Sequence, residues 1–239
     1  RRRLGDLYRA HAWPDDAYRE YRALAQLRQG DPEVNLLLAR AAADAGRVDE
    51  ALRLEQRVAE AADGDSSEGE AAIAQAWTRV RLALLRAESD DPAIDAAVLR
   101  RLRHSGALRS PPELFAAITW AHPDDVIGMT VAYADAPDRF EPVTLISPSH
   151  GIDALSLADL DEGALRLAFE RGGREDLRPT EATLTVVLGL GTEQERILRE
   201  TVRLDRETRR VVMRLDAGAL TREPAGGTSP PARETTATP

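Results

Sequence analysis

The sequence predicts an α+β chain of two domains, N-terminal helical hairpins followed by an antiparallel β-sandwich. Three observations predict it. Residues 1–62 can be laid over themselves with a shift of 34, a stride typical of stacked helical hairpins. Apolar residues recur at helical spacing up to residue 104 and alternate in twos beyond residue 112. Between them, residues 105–112 carry Gly and a Pro-Pro pair, which reads as a linker.

In the first hairpin Leu4, Leu7 and Tyr8 share one face, a turn falls near Trp13-Pro14, and Ala17, Tyr18, Tyr21, Leu24 and Leu27 form the return helix. In the second, Asp31 is placed to cap a helix that has Pro32 in its first turn, where the missing N–H is no loss. Val34, Leu37, Leu38 and Ala41 continue that helix, Gly46 ends it, and residues 48–61 return. The shift of 34 sets Leu4-Gly5 on Leu38-Ala39, Tyr8 on Ala42, Asp15-Asp16-Ala17 on Asp49-Glu50-Ala51, and Leu24 on Val58.

Residues 63–70, DGDSSEGE, read as a loop. Residues 71–104 read as a degenerate third hairpin or cap, with helices over 71–87 and 92–104. Residues 113–220 read as an acidic β-sandwich of seven or eight strands, over 115–120, 127–133, 143–146, 165–169, 183–189, 197–204 and 211–215. A four-residue connection starting at Gly191 would join two of them as a hairpin. Residues 223–239, rich in Thr, Pro, Ala and Gly, read as a disordered tail.

The chain has 239 residues and 43% apolar content, enough for a buried core. No apolar run is long enough to span a bilayer. Cysteine is absent, which excludes disulfides, thiolate metal sites and Cys nucleophiles. All 32 basic residues are Arg, which fits a GC-rich bacterial coding bias. Residues 1–62 balance 11 Arg against 11 acids, whereas residues 111–222 carry 13 Arg against 20 acids. An acidic second half repels phosphate backbones, so a nucleic-acid partner is not expected. Arg1 is not an initiator Met and the first repeat starts partway through a helix, so a fragment of a longer protein is expected.

Leu4-Gly5-x-x-Tyr8 with Ala17 and Tyr21, and Leu38-Ala39 with Gly46 and Ala51, resemble the tetratricopeptide repeat. That resemblance implies a superhelix whose first helices line a concave groove for a protein or peptide segment. On this sequence the groove positions would be Arg2, Asp6, Arg9, Leu36, Arg40 and Asp44, with Tyr8, Tyr21 and Trp77 as further candidate contacts. Members that clamp a C-terminal carboxylate use Lys and Asn at matching places; here stand Arg, Asp and Leu. The function expected is a non-enzymatic protein–protein interaction scaffold, with no cofactor.

Two further resemblances concern the second half. Ala121-His122-Pro123-Asp124-Asp125 resembles the metal-binding start of zinc-dependent N-acetylglucosaminyl deacetylases, which implies zinc on a His and an Asp with the other Asp as general base. It departs from that pattern at Val126, where an acid is expected, and in lacking a paired-His motif. An apolar strand ending Ile118-Thr119-Trp120, then an Asp turn, loosely resembles the β domain that follows repeats in bacterial proteins with VIT and von Willebrand factor A domains. That implies an adhesion or assembly role in the periplasm or cell envelope.

Asp124, Asp125, Asp135, Asp138 and Glu141 form an alternative, calcium-binding set at one end of the sandwich. The bland reading of the Asp pair is a turn whose carboxylates cap backbone N–H groups or face water. Ser147, Ser149 and His150 are adjacent in sequence, which is not a triad.

Overall fold

The computed structural model describes residues 1–61, 68–88, 92–104, 113–122, 124–142, 145–147, 150–158, 165–172, 179–216 and 218–223. Six helices, α1 (Arg2–Ala10), α2 (Pro14–Leu27), α3 (Pro32–Asp44), α4 (Val48–Glu60), α5 (Glu68–Ala87) and α6 (Pro92–His104), each pack against the next along the chain. Asp31 accepts the Val34 N–H at 3.2 Å and Pro32 opens α3, as the sequence pattern requires. Gly46 adopts φ 75°, a left-handed conformation that suits glycine and turns the chain into α4. Residues 68–70, expected in a loop, are already helical, while residues 62–67 and the expected linker 105–112 lie outside the described residues.

Small residues set the spacing between helices. Gly5 lies so close to the Tyr21 ring that an added Cβ would sit 2.8 Å from two ring atoms. Ala17, Ala39 and Ala51 are buried, and with Tyr18, Tyr21, Leu37, Leu38, Ala41, Ala42 and Leu54 they form the core of the first two hairpins.

The strands are β1 (Leu114–Trp120), β2 (Val126–Ala132), β3 (Glu141–Pro142), β4 (Leu145–Ser147), β5 (Ile152–Leu157), β6 (Leu165–Gly172), β7 (Thr180–Leu188), β8 (Arg196–Leu204), β9 (Arg210–Asp216) and β10 (Ala219–Arg222). They make two antiparallel sheets, ordered β4-β5-β1-β7-β8 and β10-β9-β6-β2-β3. Of the strand expected over 143–146, residues 145–146 lie in β4 and residues 143–144 lie outside the described residues; β3, just ahead of them, belongs to the other sheet. β5 and β10 were not expected, and residues 189–195 form a longer β7–β8 connection than the four residues foreseen. Glu223, placed in the tail by composition, is bonded to Arg166 and to the Val212 carbonyl; residues 224–239 lie outside the described residues.

β1 explains how the halves join. Its residues alternate between two cores, as the period of a strand demands. Leu114, Ala116, Ile118 and Trp120 enter a cluster shared by both sheets, with Ile127, Met129, Leu167 and Phe169 among its members. Phe115 and Ala117 point the other way, into a cluster with Leu36, Leu52, Ile73, Trp77 and Val80 of the helices. A central strand covered on both faces reads as a continuous apolar run, which Leu-Phe-Ala-Ala-Ile-Thr-Trp is. By contrast β9 exposes Arg210, Arg214 and Asp216 on alternate positions, so the second sheet keeps one wet face.

Candidate functional site

The six positions expected to line a groove lie on α1 and α3, and the chain itself covers several of them. Leu36 is buried in the cluster shared with α5 and β1. Arg40 is held by Asp44 at 3.2 Å, and its guanidinium lies 4.2 Å from the centroid of the Trp77 ring. The Arg81 guanidinium lies 4.8 Å from the same ring, and its Nε donates to Glu55 at 2.7 Å. Glu55 also accepts from the Thr78 hydroxyl; burial pushes its carboxyl up, against the pull of Arg81. Desolvation pushes Arg40 down to about 10, with Asp44 opposing and the like charges of Arg9 and Arg81 assisting.

Arg9 is only 6% exposed and donates through Nη2 to the Ala121 carbonyl at 3.1 Å, bridging α1 to the turn after β1. Gly151 is packed at the same junction, its φ of 67° letting it lie against the Trp120 carbonyl and near Arg9. Arg2 bonds Glu33 at 2.7 Å, and Asp6 accepts from the Tyr21 hydroxyl at 2.5 Å. Burial, then the bond to Asp6, pushes the Tyr21 phenol up. Of the six positions, Arg9, Leu36 and Arg40 therefore meet α5 or the β region around Ala121, while Arg2, Asp6 and Asp44 bond within the first three helices. Trp77 and Tyr21 are buried packing residues; Tyr8 is half-buried.

The Asp pair after Trp120 divides: Asp124 faces water at a turn, whereas Asp125 does not. Asp125 is buried, its carboxylate held by Arg171 and by the Thr180 hydroxyl, and its carbonyl accepts from Trp120 Nε1 at 2.9 Å. This ties β1, β6 and β7 together at one end of the sheets. His122 accepts the Asp124 N–H on Nδ1 at 3.2 Å, so the imidazole caps the turn and Asp125 does not. Asp138 pairs with Arg166 and Glu141 with Arg139, while Asp124 and Asp135 are exposed. Neither the zinc set His122, Asp124 and Asp125 nor the calcium set converges: among the described residues no three His, Asp or Glu side chains are grouped to hold an ion.

Asp153 was missed by sequence reasoning. It is buried in β5, accepts from the N–H of Met129 in the opposite sheet at 2.8 Å and of Ala154 at 3.0 Å, and is pushed up to about 7 by burial against those two bonds. A buried backbone N–H needs an acceptor, and the Asp153 carboxylate supplies one to Met129.

Also missed was the outer face of α1. Leu4, Leu7 and Trp13 are 39%, 50% and 52% exposed, with Trp13 stacked on His11 at 5.3 Å and tilted against Tyr8 at 5.9 Å. The signal was present in the repeat. A shift of 34 carries Leu4, Leu7, Tyr8 and Trp13 onto Leu38, Ala41, Ala42 and Arg47. Leu38, Ala41 and Ala42 are buried with Ala17, Tyr18 and Tyr21 of α2, and the Arg47 guanidinium lies 4.5 Å from the Tyr18 ring centroid. On α3 this face is covered by the preceding helix; on α1 Leu4, Leu7 and Trp13 are exposed and Tyr8 is half-buried. No described helix is long and apolar enough to cross a membrane.

No protein-family model, curated protein or solved structure matches this chain.

Proposed function

We propose that the chain is a non-enzymatic interaction scaffold, tetratricopeptide-like hairpins seated on an acidic β-sandwich, whose α1 receives an α2-like amphipathic helix, from a segment ahead of Arg1 or from a partner protein, on the face of Leu4, Leu7 and Trp13. The single observation that carries this is the exposed face of Leu4, Leu7 and Trp13, whereas Leu38 and Ala41, the counterparts of the two leucines one repeat later, are buried with residues of α2. The same internal comparison defines the occupant. It is an amphipathic helix of α2's chemistry, with a small residue and two tyrosines where α2 has Ala17, Tyr18 and Tyr21. Trp13 would lie over the tyrosine equivalent to Tyr18, as Arg47 does within the chain. The inner face favours this choice of surface, because Arg9, Leu36 and Arg40 are engaged by the chain's own α5 and β region.

The test is a titration of the whole chain with a peptide of α2's sequence, held helical by a side-chain crosslink, since isolated helices of this length are marginal. Acrylamide quenching reports Trp13, because Trp77 and Trp120 are buried. Quenching is expected to fall saturably in the native chain and to stay unchanged in the Leu4→Asp, Leu7→Asp variant. Equal protection in that variant, or none in the native chain, refutes the proposal.

A further inference from the structure

α2 and α4 both pack on α3 and leave a cleft between them. Its floor includes Leu38 of α3 and Leu54 of α4, which are apolar and belong to the helical core. Its rim is basic: Arg22 of α2 and Arg53 and Arg57 of α4 all line it. The cleft has a volume of about 660 Å³, within the range of ligand-binding clefts.

The three arginines border one space, and none is neutralised. Arg22, Arg53 and Arg57 are exposed and form no ion pair with a described residue. By contrast Arg28, Arg40 and Arg47, on or beside the same helices, each pair with an Asp. The one carboxylate in the lining, Glu50, already accepts the Tyr18 hydroxyl, at 2.9 and 3.0 Å from its two oxygens. Arg53 and Arg57 stand at i and i+4 on α4, where like charges disfavour the helix until an anion lies between them.

The rest of the lining selects among anions. Guanidiniums grip carboxylates and phosphates alike. A nucleic-acid strand is held through aromatic faces under its bases, and among the described residues no aromatic side chain lines this cleft. An aliphatic floor between basic walls instead matches a peptide that carries an aliphatic side chain between carboxylates.

We propose that the α2–α4 cleft binds an acidic peptide segment of a partner protein. One aliphatic side chain of the peptide rests on Leu38 and Leu54, and its flanking carboxylates meet Arg22, Arg53 and Arg57. The site uses none of Leu4, Leu7 and Trp13, so it stands whether or not that face receives a helix.

The experiment is fluorescence anisotropy of a dye-labelled peptide, Glu-Glu-Asp-Leu-Glu-Glu, titrated with the whole chain. Saturable binding that weakens as salt is raised is expected. The same peptide with glycine for its leucine is expected to bind at least about threefold more weakly. Arg53→Gln combined with Arg57→Gln is expected to weaken binding by about fivefold or more. Both residues are exposed, so the variant keeps its fold. Arg3→Gln combined with Arg19→Gln removes the same charge outside the cleft, from exposed positions on α1 and α2, and is expected to leave binding unchanged. The proposal is overturned by no saturable binding, by equal weakening in the two double variants, by no weakening in the cleft variant, by indifference to the leucine, or by tighter binding of a single-stranded oligothymidylate of equal charge.

Discussion

Replacing Gly5 by alanine tests the packing of the hairpins, because two effects of known size oppose each other. In a helix interior Ala is favoured over Gly by about 1 kcal/mol. At this position the new Cβ would lie 2.8 Å from Tyr21 Cε1 and Cζ and 3.1 Å from Cδ1. Carbon atoms prefer about 3.5–4.0 Å, so the ring must retreat by roughly 0.7 Å or the helices must part. Tyr21 has no room to retreat. It is fully buried among Ala17, Leu37 and Ala41, and its hydroxyl is tied to Asp6 at 2.5 Å. Overpacking of this kind costs about 1–3 kcal/mol, and losing a bond to a charged acceptor adds about 1.5–3 kcal/mol if the ring swings away. The net expectation is a loss of about 2 kcal/mol, or a Tm lower by about 4–8 °C in a chain of this length. Thermal and urea unfolding measure it. Gly69→Ala in α5 is the comparison, since nothing lies within 4 Å of its added carbon; there a gain of up to about 1 kcal/mol is expected. Gly5→Ala as stable as the native chain, or more so, refutes the close approach of α1 and α2.

Three further outcomes follow from the β region. Asp125→Asn leaves Arg171 buried beside a neutral amide and is expected to lose about 3–5 kcal/mol in urea unfolding, whereas Asp124→Asn, which is exposed, changes stability by under about 0.5 kcal/mol. Gly151→Ala places a Cβ against the Trp120 carbonyl at a left-handed φ of 67°, so a loss of about 1–3 kcal/mol is expected by the same assay. Asp153 has a folded pKa raised from 3.8 to about 7, so between those values the folded chain binds the extra proton. Its contribution is complete below pH 3.8 and is lost as pH rises through about 7, so stability from this group falls with rising pH. Asp153→Asn is expected to remove that downward slope, read from unfolding free energies at pH 4 to 8; an unchanged slope refutes the assignment.

Much of the helical half was legible because its signals are local. The Asp31-Pro32 start, Gly46 and the stride of 34 each depend on a few neighbouring residues, and the structure places α3, α4 and α6 where the pattern put them. β1 was legible as an apolar run, although the reason for that run, a helix layer on its second face, was not. β5 was lost because Asp153 interrupts its apolar alternation; a buried carboxylate looks like an exposed one until its N–H partners across the sheets are known. Asp125 misled in the same way, since Arg171 and Thr180 lie far along the chain. Arg9, Leu36 and Arg40 looked exposed in the sequence because the residues that cover them, the Ala121 turn and α5, lie far along the chain. The exposed face of α1 followed from the repeat itself, once the coverage of Leu38, Ala41 and Ala42 could be seen.

The most direct measurement extends the repeat by one unit. Residues 1–34 are duplicated ahead of Arg1 in the whole chain, and amide hydrogen exchange is followed at Leu4, Leu7 and Tyr8 of the original unit. If α1 carries a docking face for an α2-like helix, the added return helix covers it. Protection at these three amides then rises toward that of Leu38, Ala41 and Ala42, and Tm increases. Exchange at α1 as fast with the extra unit as without it would contradict the claim that this face is built to receive a helix.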